Sequence, residues 1–267
     1  MKIKILGTAA AEGWPGLFCN CHTCQKVRRL GGKNIRSRSS VLIDETLMID
    51  AGFDNFMHSV TENADFTKIK DVFFTHEHTD HCVASDLYYN AFYTDMNVYG
   101  NKGVMDRFME YNNKPEEWSG INLLLPYETV VTGDGHTVTS VKAEHNPDQM
   151  DQLNYVIQYK DRTVAYLTDT GLYKDEKTWD FLSQFKFDTV ISECTMGIEV
   201  REPVYHQNYD GVKTARERFR NMGCIADDTP FYLTHFSHNM IMLHDEICEK
   251  TAADGFIICY DGMDIDV

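Results

Sequence analysis

A dense run of candidate metal ligands, residues 75–81, constrains this chain more than any other feature. It reads Thr-His-Glu-His-Thr-Asp-His, and its four candidate ligands are His76, His78, Asp80 and His81. Imidazole and carboxylate are the groups that zinc and similar divalent ions prefer. The preceding stretch carries Val72, Phe73 and Phe74 in succession, which is typical of a buried strand. The ligands are therefore predicted to lie just beyond the carboxyl end of a strand.

The spacing within this run predicts two neighbouring ion sites. Alternate residues of an extended segment face the same side, so His76 and His78 can bind one ion. Asp80 and His81, in a turn beyond, can point toward a second ion. An isolated histidine is more often a surface residue or a hydrogen-bonded core residue, but this density of ligands after an apolar strand favours metal binding.

The run and its flanks resemble the metallo-β-lactamase superfamily, whose signature is His-x-His-x-Asp-His after a strand. Three later residues match the order of that family's remaining ligands, each at the end of a strand-like stretch: His145, Asp169 and His235. The ligands that the resemblance implies for one ion are His76, His78 and His145. Those implied for the other ion are Asp80, His81 and His235, and the bridging residue is Asp169.

Two of these later residues also have simpler interpretations. Asp169 stands in Thr-Asp-Thr-Gly and could be a turn residue, and His145 precedes Asn-Pro and could be a loop residue. Their order and context favour the ligand interpretation. Iron-dependent relatives carry Glu in place of His78, so the preferred ions are two zinc ions, with manganese as the alternative.

A second metal signal lies near the start of the chain. Three thiols fall within six residues, too close for ordinary paired disulfides and suited to a soft metal: Cys19, Cys21 and Cys24. A fourth ligand could be His22, although a residue packed between two ligands is poorly placed. His238 is the better candidate because it follows His235 by three residues. A redox or free-thiol cluster is the alternative interpretation.

The cysteine cluster narrows the resemblance to the cyclic phosphodiesterase branch of the superfamily, typified by the phosphoribosyl cyclic phosphate phosphodiesterase. Members begin with a strand, a Gly-Thr turn, Cys-x-Cys-x-x-Cys and an Arg-rich stretch leading to Ser-Ser, as residues 2–8, 19–24 and 36–40 do here. The structural zinc ligands implied by this branch are Cys19, Cys21, Cys24 and His238. A closed shell leaves no position for substrate, so this ion would stabilise a loop. Arg36 and Arg38 could steer phosphate or tie down the loop, and we leave them outside the catalytic set.

The resemblance implies a hydrolase that cleaves a small phosphodiester, with a cyclic phosphate as the favoured substrate. The attacking group would be a hydroxide held between the two ions, with Asp80 as a ligand that also orients it. The departing alkoxide needs a proton, and His206 matches the position of the non-ligand catalytic histidine of phosphodiesterase relatives. His206 is therefore the predicted general acid. It could also be a loop histidine that only helps to start a helix.

Charge and composition limit the partners and the location. The formal net charge of −16 disfavours long nucleic acids, because their binding depends on Lys and Arg that neutralise phosphates. We expect a small phosphodiester substrate and no membrane, and we leave a homodimer open. The chain starts without an apolar stretch long enough for secretion, and its other cysteines are scattered as in reduced proteins, so a cytoplasmic location is predicted.

The pattern of strands and helices predicts the fold. No linker, repeat or low-complexity tract divides the chain, so residues 1–267 are predicted to form a single metallo-β-lactamase-like domain. Strands are predicted at 2–6, 40–50, 70–75, 121–125, 136–144, 153–168, 188–193, 230–234 and 256–260. Helices are predicted at 54–63, 83–94, 101–112, 175–184, 208–221 and 239–253. This α/β pattern suits the αββα sandwich of two mixed sheets that the resemblance implies. Residues 100–120 could form a wall or lid, or only a surface connection.

Three other functions are alternatives. A hydrolase of the same fold that acts on a lactone, thioester or β-lactam would not need His206 or the cysteine cluster. An RNA-processing nuclease is disfavoured by the acidic balance and by the lack of a basic, Gly/Pro-rich arm. A non-catalytic metal-binding scaffold is disfavoured because all seven expected active-site ligands can be placed.

Overall fold

The computed structural model describes residues 1–91, 96–111, 120–146, 151–198, 205–240 and 242–267. Its strands are β1 (Lys2–Gly7), β2 (Ser40–Ile43), β3 (Leu47–Ile49), β4 (Asp71–Phe73), β5 (Asn97–Gly100), β6 (Ile121–Leu123), β7 (Thr129–Val131), β8 (Thr137–Lys142), β9 (Leu153–Tyr159), β10 (Arg162–Leu167), β11 (Thr189–Glu193), β12 (Phe231–Thr234), β13 (Ile257–Ile258) and β14 (Met263–Asp266). Its α-helices are α1 (His22–Leu30), α2 (Asn55–Thr61), α3 (Ala84–Ala91), α4 (Lys102–Tyr111), α5 (Glu176–Leu182), α6 (Tyr209–Asn221) and α7 (His244–Thr251). Much of the predicted wall or lid, residues 112–119, lies outside the described residues. Within the described ranges, no helix combines the length and apolar character needed to cross a membrane.

The strands form two seven-stranded mixed sheets. The first has the order β14-β1-β2-β3-β4-β5-β6, and the second has the order β13-β12-β11-β10-β9-β8-β7. Their facing side chains alternate along each strand and form one apolar cluster, which includes Ile5, Phe73, Tyr155 and Ile191. The ends of the chain meet in the first sheet, where β1 pairs antiparallel with β14.

Helices cover the outer face of each sheet. A second apolar cluster joins the second sheet to α5, α6 and α7 through residues that include Trp179, Phe219 and Ile247. A third cluster joins the first sheet to α3 and α4 through residues that include Leu87 and Phe108. The predicted αββα sandwich is therefore confirmed.

Some predicted elements differ from the observed ones. The predicted strand 40–50 is two strands, because Asp44 and Glu45 turn the chain with φ values of 45° and 63°. The predicted strand 153–168 is a hairpin of β9 and β10, with its turn at Lys160. The predicted helix 239–253 begins as an α-helix only at His244.

Four elements were not predicted: β5, β7, β14 and α1. The first three are strands of three or four residues, too short for a clear periodicity. In β14 the acidic side chains of Asp264 and Asp266 are exposed and only Ile265 is buried, so its apolar content is low. Helix α1 begins inside the cysteine cluster, where the sulfur of Cys21 accepts a hydrogen bond from the Cys24 backbone N–H.

Parallel pairing brings several strand ends to one edge of the sandwich. β3 and β4 are parallel in the first sheet, and β10, β11 and β12 are parallel in the second. Carboxyl ends of parallel neighbours lie side by side. The residues at or just beyond these ends are Asp50, His76, Asp169, Glu193 and His235.

Candidate metal centre

Seven histidine and aspartate side chains converge at this edge in two overlapping groups. The first group is His76, His78, His145 and Asp169, and the second is Asp80, His81, Asp169 and His235. Within each group the candidate ligand atoms lie within 4.8 Å of one another. Asp169 belongs to both, so the structure brings together every residue that the resemblance implied for the two ions.

The Asp169 carboxylate lies at the centre of this arrangement. Its Oδ2 is 3.3 Å from His76 Nε2 and 2.8 Å from His81 Nε2. Its other oxygen, Oδ1, is 3.4 Å from His235 Nε2. One carboxylate therefore contacts histidines of both groups.

The backbone is held in the left-handed region at three positions of the site. Asp50, Asp169 and His235 have φ values of 62°, 49° and 58°. Such values are uncommon outside glycine, although Asp and His are among the residues that adopt them most often. Strained positions of this kind persist where the surrounding structure fixes them, and they concentrate at functional sites. Here each one lies within two residues of the end of a strand and turns the chain at the edge of the sheet.

Most of the histidines are oriented through their second ring nitrogen. Two Nδ1 atoms contact threonine hydroxyls: that of His76 lies 3.0 Å from Thr75 Oγ1, and that of His235 lies 2.8 Å from Thr195 Oγ1. The Nδ1 of His81 lies 2.7 Å from Asp50 Oδ2. The Nδ1 of His145 lies 3.1 Å from the Tyr205 backbone oxygen. A backbone carbonyl can only accept, so His145 carries a proton on Nδ1, and Nε2 is the nitrogen that a neutral ring would offer to a metal ion. Partners of this type fix the tautomer and ring orientation of metal-binding histidines.

At His76 and Asp169, burial and the neighbouring charges favour the protonation states that a metal ion requires. Burial lowers the pKa of His76 well below its usual value, which keeps its imidazole neutral. Burial opposes ionisation of Asp169, but His235 and His81 outweigh it and hold the pKa of that carboxyl well below its usual value. Metal ligands of these kinds are neutral imidazoles and ionised carboxylates.

The same charges favour a cation at the centre of the second group. Burial opposes protonation of His81, but the carboxylates of Asp80, Asp50 and Asp169 outweigh it and raise its pKa well above the usual value. Burial would raise the pKa of Asp80, but neighbouring His81 outweighs it and the pKa is lowered. The carboxylates around this point thus stabilise positive charge.

Two buried atoms test whether the side chains fit divalent ions. Within the described part of the chain, His76 Nε2 and Asp169 Oδ1 are buried without a hydrogen-bond partner. A buried polar atom left without a partner costs about 1–3 kcal/mol. Both atoms are ligand types that zinc accepts, and each belongs to a group of histidines and carboxylates of the right chemistry. The residues therefore fit a pair of divalent ions.

His206 lies beside the two groups, on a short segment just before α6. That helix is capped by Asn208, whose side chain accepts from the Gly211 N–H. His206 Nδ1 is 3.3 Å from Asp169 Oδ1 and 3.3 Å from Glu193 Oε1. Its side chain is 28% exposed, whereas Asp169 and Glu193 are buried. The imidazole is therefore reachable from solvent on one side and held by carboxylates on the other.

Glu193 fixes His206 and is itself fixed by backbone groups. Its carboxylate accepts from the backbone N–H of Thr170 and Gln207, and from the Thr195 hydroxyl. Burial opposes protonation of His206, but Glu193 outweighs it and raises the pKa of His206 to about 9. Glu193, His206 and His235 are close enough to share an ion. The protein groups that donate to Glu193, His206 among them, instead indicate a carboxylate that positions an imidazole.

Sequence reasoning missed Asp50 and Glu193. Asp50 Oδ2 contacts His81 Nδ1, and its Oδ1 accepts from the Thr75 N–H. Both acidic residues stand at the end of an apolar strand, on the edge that also carries the histidines. Acidic residues are rare in strands, so an Asp or Glu at the end of an apolar strand could have been read as a candidate site residue.

The cysteine cluster brings three of its four predicted residues together. Cys19, Cys24 and His238 offer ligand atoms within 4.8 Å of one another. His238 Nδ1 is buried and, among the described residues, has no hydrogen-bond partner. Cys21 is exposed and does not belong to this group within the described residues. A side chain at Gly16 would lie 2.6 Å from His238 Nδ1, so only glycine fits there.

The two arginines of the Arg-rich stretch make structural contacts. Arg36 is buried and donates to Thr8 Oγ1 at 2.8 Å and to the Cys259 carbonyl at 2.6 Å. Arg38 forms an ion pair with Asp54 at 3.1 Å. Of the two roles considered for them, these contacts favour tying down the loop.

Comparison with known proteins agrees with this geometry. Residues 45–235 match the family described as the beta-lactamase superfamily domain. No curated protein matches the chain at a significant level. A crystal structure of a diphosphatase from the PhnP family is similar, with 19% identity, a TM-score of 0.76, and coverage of 100% of this chain and 97% of that one.

Two further solved structures have the same fold. Zinc-bound PqqB from Methylobacterium extorquens shares 17% identity with a TM-score of 0.74, and the alignment covers 100% of both chains. The short form of human tRNase Z shares 17% identity with a TM-score of 0.66, over 100% of this chain and 99% of that one. Because the family match covers most of the sequence, the chain belongs to the metallo-β-lactamase superfamily.

Proposed function

We propose that this protein is a metal-dependent hydrolase of a small phosphodiester, with a cyclic phosphate as the favoured substrate class. The observation that carries the proposal is the position of His206, 3.3 Å from Asp169 and held by Glu193 at the same distance. A positioned proton donor beside a metal centre suits a reaction whose leaving alkoxide must be protonated. Similarity to a diphosphatase and to a tRNase Z supports chemistry at phosphate bonds.

We propose the division of ligands between two ions that the family resemblance implies. We assign His76, His78 and His145 to one ion, Asp80, His81 and His235 to the other, and Asp169 to both. The nitrogen and carboxylate donors favour zinc, with manganese as the alternative. Divalent ions held there would neutralise charge on phosphoryl oxygens and make water a stronger acid.

The chain's own residues supply the remaining steps. Asp169 and Asp80 would provide negative charge that holds the ions, and Asp80 would also orient the attacking hydroxide by accepting a hydrogen bond from it. Since His206 Nδ1 faces Glu193 and Asp169, its Nε2 is the atom that donates a proton to the leaving oxygen. Glu193 keeps this imidazole charged and in place. His206 is therefore the proposed general acid.

The charge of the chain limits the proposed substrate. With a formal net charge of −16, a long nucleic acid would be repelled over most of its length. A small diester needs only the local positive charge of the metal centre. A single domain over residues 1–267, a cytoplasmic location and a homodimer stay predictions.

We further propose that Cys19, Cys21, Cys24 and His238 hold a structural zinc ion. The clustering of Cys19, Cys24 and His238, together with the unpartnered Nδ1 of His238, supports this assignment. The Cys21 sulfur already contacts the Cys24 N–H at 3.4 Å, which keeps it next to the group. This ion would join the start of α1 to the segment that follows His235.

Replacing Cys24 with serine is expected to remove this ion alone. Zinc measured by mass spectrometry should fall by one per chain, and the melting temperature should drop by several degrees because the loop loses its cross-link. Cys224→Ser, at another buried cysteine, is the control and should keep the full zinc content. Unchanged zinc content in Cys24→Ser would remove the structural site from the account.

A panel of substrates tests the proposed reaction. We expect the metal-loaded protein to hydrolyse bis(p-nitrophenyl) phosphate and a cyclic phosphodiester, and to lose this activity with a chelator. Phosphomonoesters, lactones, thioesters and β-lactams should react at least about a hundredfold more slowly than the cyclic phosphodiester, because the proposed site is shaped for a diester phosphate between the metal centre and the proton donor. Fast lactone, thioester or lactam hydrolysis without diester hydrolysis would overturn the proposal.

A further inference from the structure

The cysteine cluster at the start of α1 has one member that solvent reaches freely. Cys21 is exposed, whereas Cys19 is partly buried and Cys24 is fully buried. All eight cysteines of the chain lie within the described residues, and Cys21 is the most exposed of them. An oxidant dissolved in the solvent would therefore meet Cys21 before it meets the other two thiols of the cluster.

Cys21 and Cys24 form a Cys-x-x-Cys pair at the N-terminus of a helix. Cys21 is the N-cap of α1, and its sulfur accepts a hydrogen bond from the Cys24 backbone N–H at 3.4 Å. The two thiols also interact through their side chains. An exposed thiol with a second thiol beside it is the arrangement of cysteines that form reversible disulfides. The buried Cys24 is thus placed to react with an oxidised Cys21.

A disulfide between these two residues is incompatible with the proposed structural zinc ion. Zinc binds thiolates, and a structural zinc ion needs four ligands. With Cys21 and Cys24 joined to each other, the proposed ligands that remain are Cys19 and His238. Two ligands do not close a tetrahedral shell, so the ion would leave.

We propose that Cys21 is an oxidation site for a hydroperoxide and that its disulfide with Cys24 releases the structural zinc ion. The Cys21 sulfur attacks one peroxide oxygen, the O–O bond breaks, and a sulfenic acid forms as hydroxide or alkoxide leaves. The Cys24 sulfur then attacks the Cys21 sulfur, an S–S bond forms, and hydroxide leaves as the S–O bond breaks. Two thiolates thereby give two electrons to the peroxide, and the two leaving groups take two protons from solvent. This inference rests on the structural zinc ion proposed above.

The proposed active-site ions give the oxidation an internal reference. Their ligands are histidines and aspartates, and zinc has no redox chemistry of its own. Cys82, directly after His81, is only 3% exposed and is shielded from the oxidant. Zinc released by a hydroperoxide should therefore come from the cysteine cluster alone.

Treatment of the reduced, zinc-loaded full chain with hydrogen peroxide tests the proposal. Zinc retained after desalting is measured by mass spectrometry before and after oxidation, and disulfides are mapped in peptides. We expect the loss of one zinc per chain with a disulfide between Cys21 and Cys24, and recovery of that zinc with dithiothreitol and added zinc. Absence of a third zinc before oxidation would remove the structural site. Retention of all three ions under peroxide would overturn the oxidation proposal alone.

Replacing Cys21 with aspartate separates oxidation from zinc binding. Aspartate offers zinc an oxygen ligand and is a favourable N-cap residue, so Cys21→Asp should keep its zinc and lose it at least about tenfold more slowly under peroxide. Cys248→Ser, at a partly buried cysteine outside the cluster, is the control and should release zinc as the unmodified protein does. Release from Cys21→Asp at the unmodified rate, or a disulfide that does not include Cys21, would contradict the assignment.

Discussion

Replacing Asp169 with asparagine is expected to remove both active-site ions at once and to lower diester turnover at least about a thousandfold. Asp169 is the carboxylate that contacts histidines of both groups, and asparagine has no negative charge to hold either ion. The backbone should tolerate the change, because asparagine adopts a φ near 49° as readily as aspartate.

The proposed structural ion would give this experiment an internal reference. The zinc content of Asp169→Asn should fall by two per chain, and the zinc proposed at Cys19, Cys21, Cys24 and His238 should stay in place. The matched control is Asp44→Asn, which replaces another aspartate with a left-handed backbone, at φ 45°, in the turn after β2. That variant should retain all its zinc. Turnover of Asp169→Asn within tenfold of the unmodified protein, with both ions retained, would contradict a bridging role.

Replacing His206 with glutamine is expected to lower turnover of an alkyl phosphodiester about a hundredfold to ten-thousandfold. The leaving alkoxide would lose its proton donor, while the zinc content should stay the same because His206 belongs to neither proposed ion site. A diester with a p-nitrophenolate leaving group should be affected much less, since that group departs without a proton.

The contrast between the two substrates distinguishes proton donation from positioning. His22→Gln, at an exposed histidine of α1, is the control and should behave like the unmodified protein on both substrates. An equal loss on both diesters would mean that His206 positions the substrate. Unchanged turnover of the alkyl diester would exclude the general-acid role.

Local sequence pattern predicted the parts of the site that are close along the chain. His76, His78, Asp80 and His81 follow one strand, so their joint position depends on a single strand and turn. The αββα architecture and the contributions of His145, Asp169 and His235 depended on the family resemblance. No local pattern states which strands become neighbours in a sheet.

The missed features share one physical cause. Asp50 reaches His81 because β3 pairs with β4, and Glu193 reaches His206 because β11 ends beside β10 and β12. These contacts come from the order of strands in the sheet, which a single sequence does not specify. The short or acidic strands β5, β7 and β14 were missed because pairing with neighbours, and not their own pattern, makes them strands.

Anomalous X-ray scattering from crystals of the zinc-loaded protein, recorded on both sides of the zinc absorption edge, tests the central claim most directly. The account predicts two zinc peaks at the edge of the sandwich, one on each side of the Asp169 carboxylate. The first should lie among His76, His78 and His145, and the second among Asp80, His81 and His235. A single peak, or no peak beside Asp169, would contradict the dinuclear centre.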